Sequence, residues 1–86
     1  MMNTEMSAIK YLSNLSEGET GEIIQVRGKP EIHRYLYGKG LAMGRIVSVD
    51  NSGVISGNTS FTIHSGGRKT TIEKEIARDI KVRVAR

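Results

Sequence analysis

Two adjacent glycines, Gly66-Gly67, lie inside the stretch "SFTIHSGGRKTTI". The residues on both sides favour strands. A two-glycine loop favours the turn types whose twist matches that of paired strands. The stretch therefore has to close as a tight hairpin. Phe61 and Ile63 then face one way, Thr62 and His64 the other. The end of the chain adds a second constraint. "IKVRVAR" alternates without a break, so Ile80, Val82 and Val84 share one face, and Lys81 and Arg83 the other. Such an ending reads as a strand.

The remaining segments fit around these strands. Leu12 and Leu15, three apart, suit one helical turn packed on the core. "SEGETG" is a turn cluster. "EIIQVRG" reads as a strand with Ile24 and Val26 on one face and Gln25 and Arg27 on the other. Pro30 is favoured at a helix start, and Ile32, Tyr35 and Leu36 follow at helical spacing. Glu31 suits the first turn, so residues 31–39 read as one short helix. "GRIVSVDNSG" is a strand ending in a turn at "DNSG", and "VISGNT" is loop-like. "EKEIARD" allows one or two helical turns with Ile76 and Ala77 inward. The sum is a mainly β fold: a small barrel or strongly bent sheet of about five strands, with one short helix and a late helical turn. With 86 residues and neither repeat nor linker, residues 1–86 read as a single domain.

Composition narrows the chemistry. There is no cysteine, which excludes disulfides and thiolate metal sites. Tryptophan is absent and Phe61 is the one phenylalanine, so the core has to be built from Ile, Val and Leu. No apolar run approaches the roughly 18 residues of a membrane span. "MMNTEMSAIKYL" lacks the basic start and apolar run of a signal peptide, so a cytoplasmic protein without membrane insertion is expected. Residues 68–86 hold seven Lys and Arg against three acids, and this +4 is the whole net charge. A basic segment can serve nucleic acid through Arg68, Lys69, Lys81 and Arg83. No aromatic residues interleave with these charges, as they do in single-strand binders, so ordinary solubility charge is the stronger reading.

"RYLYGKGLAMG", residues 34–44, invites a phosphate-loop reading. That motif needs a strand before the glycines and a helix after them. Here the order is reversed, and the spacing matches neither G-x-x-x-x-G-K-[ST] nor G-x-G-x-x-G. "SGGRKTT" has the better order but lacks the distal glycine and the Gly-Lys-Thr sequence. A helix stop fits the opening stretch better. With Gly40 as the left-handed residue past the cap, Leu36 and Leu41 fall where the Schellman motif brings a hydrophobic contact. Gly38 then weakens the last turn by about 1 kcal/mol relative to alanine.

His33 and His64 lie on different elements with no carboxylate at ligand spacing, a poor metal site. The serines lack a local histidine and acid, so nucleophilic catalysis finds no support. Glu73 and Glu75 flank Lys74 as solvated helix-start charges. No enzyme and no cofactor is expected. Tyr35, Tyr37, Leu41 and Met43 cluster on or just after the helix. Core and rim packing is the plain reading of that cluster. A partner-docking patch is the functional one, because Tyr and Met are enriched at interfaces. The candidate docking residues are Tyr37, Lys39, Leu41 and Met43.

Three segments resemble the FeoA family of ferrous iron transport. "LSNLSEGETGEIIQV" is similar to the family's opening, through Leu12, Leu15, Gly18 and Gly21. "YLYGKGLAMGRIVSV" resembles its signature, through Leu36, Gly40, Leu41 and Gly44. "TTIEKEIARDIKV" resembles its ending, through Ala77, Ile80 and Val82. The chain departs from the pattern at Lys39, usually hydrophobic, and at Tyr35, often arginine. The proline usual in the loop after the second strand is also missing. The resemblance implies an SH3-like barrel, no enzymatic activity, and association with the cytoplasmic region of the membrane GTPase-transporter FeoB. A monomer is expected. A regulatory module like the SH3-like C-terminal domain of iron-dependent repressors is a further reading, acting in trans.

Overall fold

A computed structural model describes residues 7–51 and 60–85. Its elements run β1 (Ser7–Tyr11), a 3-10 turn (Leu12–Asn14), β2 (Thr20–Val26), α1 (Pro30–Gly38), β3 (Ile46–Asn51), β4 (Ser60–Ser65), β5 (Arg68–Glu73), α2 (Lys74–Ala77) and β6 (Ile80–Ala85). The strands form one antiparallel sheet in the order β1-β6-β2-β3-β4-β5. This is the mostly-strand, SH3-like architecture expected from the sequence, with six strands among the described residues rather than five. The extra strand is β1, which pairs with β6 from Ser7↔Ala85 to Tyr11↔Lys81.

The hairpin forms where expected. Gly66 and Gly67 take φ of 59° and 83°, and Ser65 pairs with Arg68 across them. Two successive positive φ values are the turn that glycine admits without strain. Ile63 and Ile72 point from this hairpin into the core. The side chain of Phe61 and the loop expected through "VISGNT" lie outside what is described, as does the end of the "DNSG" turn.

Buried Leu, Ile and Val residues, with Ala77, make the core. Leu12 and Leu15 cap one end of it from the single helical turn. Ile80, Val82 and Val84 are all buried, as the alternation required. The inward residues of β2 differ from the expected pair. Ile23, not Ile24, is fully buried, while Val26 still packs against the core. The β2–β6 register explains this: Ile23 faces Val82 and Gln25 faces Lys81, so Ile24 is the extra residue of a bulge. A bulge shifts the inward face by one residue, and the inward spacing becomes three instead of two.

The first β turn is closed by side chains. Glu19 Oε1 accepts a 2.8 Å hydrogen bond from the Ser16 amide, while the Glu19 amide donates to the Ser16 carbonyl. Lys10 Nζ reaches Glu19 Oε2 at 2.9 Å, tying β1 to this turn.

Helix α1 runs Pro30–Gly38, one residue earlier at each end than expected, with Lys29 and Lys39 as its caps. Its stop has the anticipated geometry. Gly40 has φ of 81°, its amide donates to the Tyr37 carbonyl, and the Leu41 amide donates to the Leu36 carbonyl. These are the two hydrogen bonds of a Schellman motif. Leu36 and Leu41, its hydrophobic pair, are both buried. The two helix glycines should therefore respond with opposite signs. Gly40→Ala forces a left-handed alanine and should cost about 1–2 kcal/mol. Gly38→Ala adds a methyl into open space on an ordinary helical residue, and should gain about 0.5–1 kcal/mol. Urea midpoints at constant slope would read both changes.

Candidate docking site

Helix α1 and the segment after its cap sit between β2 and β3 in the chain. Helix positions 36 and 37 point to different sides, so Leu36 is buried while Tyr37 is 75% exposed. Past the cap the alternation repeats: Leu41 is 1% exposed and Met43 is 65% exposed. Gly44, with φ of 91°, then turns the chain into β3, and its amide donates to the Ile23 carbonyl at 2.8 Å. Arg45 closes the stop from the far side, its Nε donating to the Gly40 carbonyl at 3.1 Å.

Tyr37 and Met43 form the wall between two grooves. One groove, about 290 Å³, has Leu36, Leu41 and Val26 beneath and Ala42 beside them. His33 and Arg34 stand at its rim. The second, about 430 Å³, runs from the same Tyr37–Met43 wall to Arg45 and Arg68. The first is mostly apolar; the second carries two guanidinium groups.

Of the four expected docking residues, three come together here. Tyr37 and Met43 are the exposed wall. Leu41 is a floor and core residue, so its share of any contact is small. Lys39 lies apart, lining neither groove. Its ammonium sits 5.0 Å from the centroid of the Tyr35 ring, one helical turn away. The two positions that depart from the family pattern on this helix therefore contact each other, and the pair suits a cation–π interaction. Arg45 was not expected at the site. Its distance from Arg68 in sequence hid their meeting, and only the β3–β4–β5 register brings them to one surface.

The other sequence candidates are dispersed. His33 is on α1 and His64 on β4. Among the described residues no three His, Asp or Glu side chains gather as a metal site. Arg83 reaches Glu22 at 3.5 Å, and the Lys81 ammonium lies 5.9 Å from the Tyr11 ring centroid. Arg68 and Lys69 are on β5, which three strands separate from β6 in the sheet order. Among the described residues, no helix is long and apolar enough to cross a membrane.

Comparison with known proteins gives the fold a family. The FeoA domain model matches residues 10–84. A crystal structure of an iron uptake regulatory protein (FeoA) aligns over 90% of this chain and 99% of its own, with a TM-score of 0.81 and 25% identity. The solution structure of iron(II) transport protein A from Clostridium thermocellum aligns over 87% of this chain and 45% of its own, with a TM-score of 0.78 and 27% identity. A manganese-dependent transcriptional repressor aligns over 90% of this chain at 17% identity and a TM-score of 0.77; the chain spans 42% of that repressor, and the likeness is one of fold alone. No curated protein matches the chain. The matched residues take in all three segments that carried the resemblance, and the chain belongs to the FeoA family, small accessory domains of ferrous iron transport.

Proposed function

We propose that this protein is a non-catalytic, cytoplasmic accessory of ferrous iron transport that docks on the cytoplasmic region of the FeoB GTPase-transporter. It does so as a monomer and without a cofactor. The observation that carries the reading is the exposed Tyr37–Met43 wall beside a preformed apolar groove. Tyr and Met give large contact area at an interface, and Met adapts its shape to a partner. To act on transport, the domain has to bind one transporter conformation better than another. A coupling of about 1–3 kcal/mol would change the balance of states some 5- to 150-fold.

The alternative, a nucleic-acid surface on the basic C-terminal segment, draws less support. Arg83 has an acidic neighbour in Glu22, and Lys81 lies beside Tyr11. Two of the basic side chains that a strand binder would present are thus engaged within the fold.

The test is retention of the protein by immobilised FeoB cytoplasmic region. Tyr37→Ala and Met43→Asp should each weaken retention about tenfold or more while leaving the thermal midpoint nearly unchanged, because both side chains are exposed. Unchanged retention by both variants would remove this surface from the account. Binding to RNA that falls steeply with salt would favour the alternative.

A further inference from the structure

The second groove contains an arrangement that the fold does not require. A Cβ placed on Gly40 would lie 3.7 Å from Arg45 Nη2 and 3.9 Å from Arg68 Nη1, so the two guanidinium ends converge above the helix stop. Arg45 has a structural task there, its bond to the Gly40 carbonyl. A cation at a helix C-terminus is also favoured by the helix dipole. Among the described residues, the Arg68 side chain has no such hydrogen bond. Among the described residues, no carboxylate pairs with either arginine. Two like charges held near one point repel, and an anion between them turns that repulsion into attraction. Guanidinium forks match carboxylates in plane and spacing.

The surroundings narrow the anion. Tyr37, Ala42 and Met43 are shared by this groove and the apolar one, so the basic and apolar surfaces are continuous across one wall. A free inorganic anion would leave the apolar side empty. A nucleic-acid strand would need stacking aromatics along a longer basic track. A peptide with an apolar side chain next to acidic residues uses both sides. We propose that Arg45 and Arg68 form a carboxylate-reading clamp, and that the docking segment taken by this surface is an acidic peptide. Its apolar anchor enters the groove over Leu36 and Leu41, and its Asp or Glu lies between the two arginines. The proposal rests on the docking reading for the location of the surface, and adds the chemistry of the segment it takes.

The test uses a probe independent of FeoB. The full chain, labelled with 15N, is titrated with a blocked peptide of one phenylalanine followed by alternating glutamate and alanine. A second titration uses the same peptide with glutamine for glutamate. The proposal expects amide shifts at Gly40, Met43, Arg45 and Arg68 with the glutamate peptide, and affinity about tenfold lower with the glutamine peptide. Arg68→Glu should lose the same factor while the folded spectrum is retained, since Arg68 is exposed at the hairpin. Arg45→Gln is the second variant, read the same way. Equal affinity for both peptides, no shifts at about 5 mM peptide, or shifts confined to β1 and β6 would overturn the clamp. So would tighter binding of an RNA 12-mer on the same amides, which would assign the arginines to phosphate. FeoB retention separates the two readings. If FeoB holds wild type and Arg68→Glu equally, the clamp fails and docking stands. If FeoB holds neither while the glutamate peptide binds as expected, docking fails and the clamp stands.

Discussion

Replacing Leu41 with alanine is expected to lower the unfolding free energy by about 2–5 kcal/mol. Leu41 is buried at 1% exposure against the core, and it is also the residue whose amide closes the helix stop onto the Leu36 carbonyl. The alanine variant keeps the backbone bond but loses the side-chain contact and leaves a cavity. Each kcal/mol moves the thermal midpoint of a domain this size by about 4–8 °C, so the shift is large. A double-mutant cycle with Leu36→Ala should show a coupling of about 0.5–3 kcal/mol, because both side chains lie in one buried cluster at the helix stop. A loss below about 1 kcal/mol for Leu41→Ala would mean that the cap and the core are not joined there. The same burial makes Leu41 a poor probe of docking. An aspartate at this position would weaken any partner through unfolding, whereas Tyr37 and Met43 report on the surface alone.

The second large effect concerns Gly21. Here backbone conformation is ordinary, and space is the constraint. A Cβ on Gly21 would lie 3.1 Å from the Arg83 carbonyl oxygen and 3.2 Å from the Val82 Cβ. The oxygen belongs to the neighbouring strand, so relief requires β2 and β6 to move apart. Those strands carry Ile23 and Val82, which face each other in the core. Gly21→Ala should cost about 1–3 kcal/mol, and Gly21→Val more, read as a lowered denaturation midpoint. Gly18 is the natural control. Nothing lies within 4 Å of its Cβ position, but its φ of 88° makes the cost one of backbone strain only. Asparagine should rescue Gly18 better than alanine does, and should not rescue Gly21. Equal tolerance of alanine and asparagine at both sites would contradict the close approach of the strands.

Local rules carried most of the fold. The Gly66-Gly67 hairpin, the alternation of β6, the turn at Leu12 and the stop at Gly40 each depend on residues close in sequence, and each formed as expected. The two misread places depend on partners far away. In β1 the pattern gives no covered face: Ile9 is 58% exposed, and Lys10 instead leans on Glu19. Only β6 supplies the pairing that makes it a strand. In β2 the bulge at Ile24 is set by the β6 register, and nothing in "EIIQV" announces which isoleucine turns outward. The site was half legible for the same reason. Tyr37 and Met43 stand out as exposed apolar residues near a helix stop. The pairing of Arg45 with Arg68 comes from the sheet, and the contact between Tyr35 and Lys39 diverts a residue that the sequence had offered for docking.

The most direct test of the central claim is a map of the contact itself. Unlabelled FeoB cytoplasmic region is added to the 15N-labelled protein, and the amide signals are followed. The account predicts perturbations that begin at Tyr37, run through Gly40, Met43 and Arg45, reach Arg68, and leave β1 and β6 unmoved. Perturbations centred on Lys81 and Arg83, or a spectrum that does not change, would contradict it.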